Sequence, residues 1–121
     1  MKFLNTKLHG YVDYTISIVL LFIPSILHLQ AHTIQSLLFY IFAVFILFLS
    51  LQTDYEAGLY KVIPVQGHLC IEVLAGLFFA VSPWIFGFAP RVFVPHLSFG
   101  FLIIAVGLTT KTKHGIRLKL F

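Results

Sequence analysis

From Tyr14 to Thr53 the chain carries no Asp, Glu, Lys or Arg, and the stretches 73–90 and 92–110 are equally free of charge. A helix crossing the hydrocarbon core of a bilayer needs ~20 predominantly apolar residues, and each of these stretches can supply them. A soluble domain leaves such runs unexplained. Composition points the same way: of 121 residues, 60% are hydrophobic and only 10% charged, against about 25% charged in an ordinary soluble domain.

Spacing of the apolar runs predicts four crossings, at about residues 8–28, 33–52, 66–87 and 94–111, and hence an all-α, four-helix transmembrane bundle forming one membrane domain over residues 1–121. Two short turns are expected at one end. Leu29 to His32 is the first, with Thr33 as N-cap of the next helix; Gly87 to Val94 is the second, followed by Pro95 in the first turn of the fourth helix. At the other end, crossings two and three are joined by the longer segment TDYEAGLYKVIPVQG, punctuated by Gly58, Pro64 and Gly67.

Seven of the eight basic residues, Lys2, Lys7, Lys61, Lys111, Lys113, Arg117 and Lys119, share one side of a four-crossing topology and leave Arg91 alone on the other. The positive-inside rule then puts both termini in the cytoplasm. Lys2 and Lys7 before an apolar stretch resemble the start of a signal peptide. No small-x-small site follows and Pro24 interrupts the place for one, so the segment reads as a retained first helix. The tail from 111 to 121 interleaves basic residues with Ile116, Leu118, Leu120 and Phe121, a pattern suited to an anionic leaflet; nothing in it suggests a nucleic-acid-binding fold. Cys70, the one cysteine, excludes an internal disulfide and reads as a small apolar residue.

The two halves match at a shift of 59 residues: His9 falls on His68, Asp13 on Glu72, Ser17 on Gly76 and Pro24 on Pro83. Further on, SLQTDYEAG matches GLTTKTKHG at a shift of 57. A duplicated two-helix hairpin accounts for both, with repeat 1 at about 5–58 and repeat 2 at about 64–115, and the two would be related by a pseudo-twofold axis along the membrane normal. Ser82-Pro83-Trp84, together with HGYVDY at 9–14, TDYEAGL at 53–59 and SPWIFGF at 82–88, resembles the SPW-repeat family of small bacterial membrane proteins, named for a Ser-Pro-Trp in the first helix of each repeat. Repeat 1 reads Ile23-Pro24-Ser25 and keeps only the proline. The resemblance implies the fold and names no reaction or cofactor.

Pro24 and Pro83 should shape their helices, with Ser82 donating to a carbonyl that Pro83 sets free and Trp84 anchoring at the headgroup level. His9 and Asp13, like His68 and Glu72, lie one helical turn apart and project from one face. All four acidic residues, Asp13, Asp54, Glu56 and Glu72, fall near the expected cytoplasmic ends of crossings, and the cost of exposing carboxylates to lipid should turn Asp13 and Glu72 inward. The candidate polar or ion site is therefore His9, Asp13, His68 and Glu72, with Asp54 nearby. A structural or partner-binding bundle held by a polar clasp is the leading reading. The alternative is a proton, cation or metal site in a small transporter or channel; His-x-x-x-Asp and His-x-x-x-Glu differ from the Glu-x-x-His of di-metal bundles and do not identify a metal. A membrane enzyme comes last, for want of a nucleophile motif, a Cys pair or a glycine-rich phosphate loop. His28, His32 and His96 are expected as polar residues of the outer loops. Gly100 and Gly107, two turns apart on the fourth helix, offer a face for a homodimer within the bilayer.

Overall fold

A computed structural model describes residues 4–56 and 58–110. The cytoplasmic basic tail expected over 111–121 lies outside the described residues. Four helices follow one another: α1 Thr6–Ile26, α2 Ile34–Leu51, α3 Val65–Ile85 and α4 Val94–Thr109. Among the described residues there is no strand beyond two isolated bridges, Leu4 with Thr110 and Thr53 with Ile63.

Local chemistry sets the helix ends. Asn5, in extended conformation, accepts the Leu8 N–H at 2.8 Å and starts α1. Thr33 stands at the expected N-cap position of α2, but its hydroxyl turns back to donate to the Gln30 carbonyl at 2.7 Å and caps no helical N–H. Pro95 takes its place in the first turn of α4, where its missing N–H costs nothing. α1 and α3 each stop two residues short of the sequence expectation, and for the same reason. His28 (φ 59°) and Gly87 (φ 79°) adopt the left-handed conformation that ends a helix. Around them Leu27 donates to Ile23 and Leu29 to Pro24, while Phe86 donates to Ser82 and Phe88 to Pro83. Every one of these positions has its counterpart 59 residues away.

α1 packs along α2 and α3 along α4, whereas the two hairpins touch each other more sparingly, chiefly through α2 and α3. Small residues allow the α3–α4 approach. A Cβ on Gly100 would meet the Ala80 backbone at 2.6 Å, one on Gly107 the Val73 side chain at 2.9 Å, and one on Gly76 the Gly100 carbonyl oxygen at 2.9 Å. Gly100 and Gly107 thus face α3 of their own chain, and the face expected to receive a second copy is already used.

The interior holds Ile16, Leu20, Phe39, Phe42, Ala43, Ile46, Phe79 and Ile103. Phe39 and Phe79 meet edge to face with ring centres 5.2 Å apart. The outward surface is apolar as well: Phe22, Ile41, Phe48, Leu74 and Phe101 are all more than half exposed. A water-facing bundle keeps its polar residues there, and lipid explains the reversal. α1, α2 and α3 are each long and apolar enough to cross a membrane; α4, with 16 residues, is shorter and equally apolar.

Candidate functional site

The starts of α1 and α3 and the ends of α2 and α4 lie at one end of the bundle, and there the polar residues gather. His9 and Asp13 project inward from the first turns of α1, His68 and Glu72 from those of α3, and all four are at least 98% buried. His9 Nε2 lies 3.0 Å from Asp13 Oδ2 and 2.9 Å from Glu72 Oε1. His68 Nε2 lies 2.9 Å from the same Asp13 oxygen and 3.2 Å from the same Glu72 oxygen. The two Nε2 atoms stand 3.3 Å apart, with the rings edge to face. Each imidazole therefore meets its own helix's carboxylate and the other hairpin's.

Hydroxyls close the back of each ring, and they cross between hairpins. Thr110, just past α4, stands 2.6 Å from His9 Nδ1; Thr53, just past α2, stands 2.6 Å from His68 Nδ1. Thr53 donates its own proton to the Leu49 carbonyl and Thr110 to the Val106 carbonyl, each at 2.6 Å. Ser50 donates to Asp13 Oδ2 at 3.1 Å, and one turn deeper Ser17 donates to the Ala43 carbonyl at 2.6 Å. Tyr55 covers the outer side, its buried ring centre 5.6 Å from that of His68 and 6.2 Å from that of His9. Burial pushes the Tyr55 phenol up, so it adds no negative charge.

His9, Asp13, His68 and Glu72 are the group among the described residues that brings metal-ligating atoms together, all within 4.8 Å. Asp54 does not join them. Its side chain is exposed in the α2–α3 connection, where the backbone N–H bonds to the Ile63 carbonyl at 2.7 Å. Lys61 donates to the Tyr55 carbonyl at 2.7 Å, and Glu56 accepts from the Thr6 hydroxyl at 2.7 Å. At the far end of the bundle Ser82 is buried and donates at 2.7 Å to the Phe79 carbonyl, the one four residues before Pro83. Pro24 is buried at the matching place, and Trp84 is half exposed with its ring against Phe93.

Two expectations about histidines need correction. His96 is not a loop residue at the interface but is fully buried in the first turn of α4, packed against Phe39, Phe79 and Phe88, with Nε2 donating to the Gln35 carbonyl at 3.0 Å. His28 and His32 are exposed and form no cluster with it. Thr53, Thr110, Ser50 and Tyr55 are site residues that the sequence reading did not name. A trace of them was present, since the 57-residue shift places Thr53 on Thr110.

Four apolar helices around a buried His–carboxylate cluster define a small integral membrane bundle. Residues 7–110 match the SPW repeat domain, and the chain belongs to that family. No curated protein and no solved structure matches it.

Proposed function

We propose that this is a structural or partner-binding bundle of a bacterial inner membrane, with both termini cytoplasmic and two duplicated hairpins fastened by a polar clasp near the cytoplasmic side. One observation carries the reading. The hairpins pack well within themselves and sparingly against each other, yet at one end each contributes a histidine and a carboxylate to a single buried cluster. The imidazole–carboxylate contacts that join the hairpins are therefore gathered at one end, while Phe39 against Phe79 and His96 on the Gln35 carbonyl join them further along the bundle. Above Ser17 the interior turns to Leu20, Phe39, Phe42 and Phe79, which favours a fastening over a path through the bundle. The orientation is supported by the sidedness of the basic residues.

Removing charge from either hairpin tests the clasp. Asp13→Asn and Glu72→Gln should each lower unfolding stability in mild detergent by about 2 kcal/mol, between the ~0.6 of an average interhelical polar contact in a membrane protein and the 3–5 of a broken buried ion pair. Asp54→Asn, at an exposed position, should leave stability unchanged. Parental stability in both cluster variants would show that the hairpins hold together without the clasp.

A further inference from the structure

The hydroxyl protons of Thr53 and Thr110 go to the Leu49 and Val106 carbonyls, so each oxygen meets its imidazole as an acceptor. Nδ1 of His9 and of His68 therefore carries the ring proton, and each neutral ring turns the Nε2 lone pair toward the cluster. The middle of the cluster then consists of acceptors alone: two ring nitrogens and the oxygens of two carboxylates, with nitrogens and oxygens spaced at 2.9–3.3 Å. Groups of this kind repel unless positive charge lies among them. Two further ring protons answer only in part. They would place two N–H groups face to face across the 3.3 Å between the Nε2 atoms. They would also leave Asp13 Oδ1 and Glu72 Oε2, both buried, without a hydrogen-bond partner.

We infer that the cluster binds one divalent first-row transition ion through His9 Nε2, His68 Nε2, Asp13 and Glu72. The ion deepens the clasp reading and rests on it, since two ligands come from each hairpin. Its charge matches that of the two carboxylates, leaving the site neutral inside an apolar bundle. Imidazole ligands select a transition ion over magnesium or calcium. Ligands 2.0–2.1 Å from a four-coordinate zinc stand about 3.3 Å apart by tetrahedral geometry; the nitrogen–oxygen and nitrogen–nitrogen spacings here, 2.9–3.3 Å, lie within a few tenths of an ångström of that, and all four ligand atoms lie within 4.8 Å of one another. Each ring's second nitrogen is held by a threonine, the outer-shell arrangement that fixes the tautomer of metal-ligating histidines. Burial on every side and the apolar layer above Ser17 describe a resident ion.

Elemental analysis of the full chain, purified in mild detergent without chelator or an affinity metal, should find about one zinc, iron or manganese per chain. After chelation, cobalt(II) should restore one equivalent, reported by ligand-field bands whose intensity distinguishes four- from six-coordination. Thr53→Val and Thr110→Val keep all four ligands and should weaken cobalt(II) binding about 10- to 100-fold, while Thr→Ser at either position restores it. A parent protein that carries no metal and takes up no cobalt(II) overturns the inference. So does uptake that survives unchanged in the His9→Ala/His68→Ala protein. Either result leaves the clasp intact if Asp13→Asn and Glu72→Gln still cost stability, so the two readings fail separately.

Discussion

A methyl group on Gly58 would fall well inside van der Waals contact with the Thr53 carbonyl oxygen, a backbone atom that cannot turn aside. The close approach matters because the same turn carries Thr53 to His68 and Tyr55 over both imidazoles. Gly58→Ala should therefore cost about 3 kcal/mol, the upper part of the overpacking range, with a loss of near-ultraviolet signal from Tyr55. Unaltered stability would mean that the turn has a second conformation available. Residue by residue, the cluster was legible where it depended on one-turn spacing: His9 with Asp13 and His68 with Glu72 share a face in any helix. The threonines were not legible in the same way, because a hydroxyl just beyond α2 has no role until α3 brings His68 beside it. Asp54, expected near the cluster, stays out of it for the complementary reason. Outside a helix no period fixes where a side chain points.

At the scale of helices, the sequence marked the four apolar runs well and their ends less well. Pro24 and Pro83 lie two residues before the last helical positions, Ile26 and Ile85, and the left-handed His28 and Gly87 end the pattern while apolar residues continue past them. Hydrophobicity does not record such a stop; a glycine hints at it, and a histidine in the same conformation does not. Proline removes one N–H from the ladder, and α3 answers with Ser82, whose hydroxyl takes the freed Phe79 carbonyl. Repeat 1 has Ile23 at that position and Ser25 on the exposed side of the helix. Ser82→Ala should thus destabilise by about 1 kcal/mol, the value of a hydrogen bond whose acceptor is left buried. Ser25→Ala should have no effect. Equal, negligible losses from both would show that the Phe79 carbonyl finds another donor.

Across the whole molecule, the chain's first and last described segments meet: the Leu4 N–H donates to the Thr109 carbonyl at 3.0 Å, and Leu4 pairs with Thr110. The first and last described residues therefore lie at the cluster end of the bundle, with Lys61 at the same end and Arg91 at the other. At 1.5 Å per residue α1 and α3, of 21 residues each, span about 31 Å and α4, of 16, about 24 Å, against a hydrocarbon core of about 30 Å. The short fourth helix is the element on which topology turns. If it crosses, the two termini share a side, and the seven basic residues that the sequence pattern assigns to that side would make it the cytoplasm. If it stays out of the bilayer, the C-terminus lies opposite the N-terminus and the charge argument fails. Reporters active only in the cytoplasm, fused in turn to each end, should both give signal, and a periplasmic reporter placed in the loop at Arg91 should be active. Disagreement between the two terminal fusions would remove α4 from the crossings. Silence from both, with periplasmic activity at each, would keep four crossings and invert the protein, moving the His–carboxylate cluster to the outer face of the membrane.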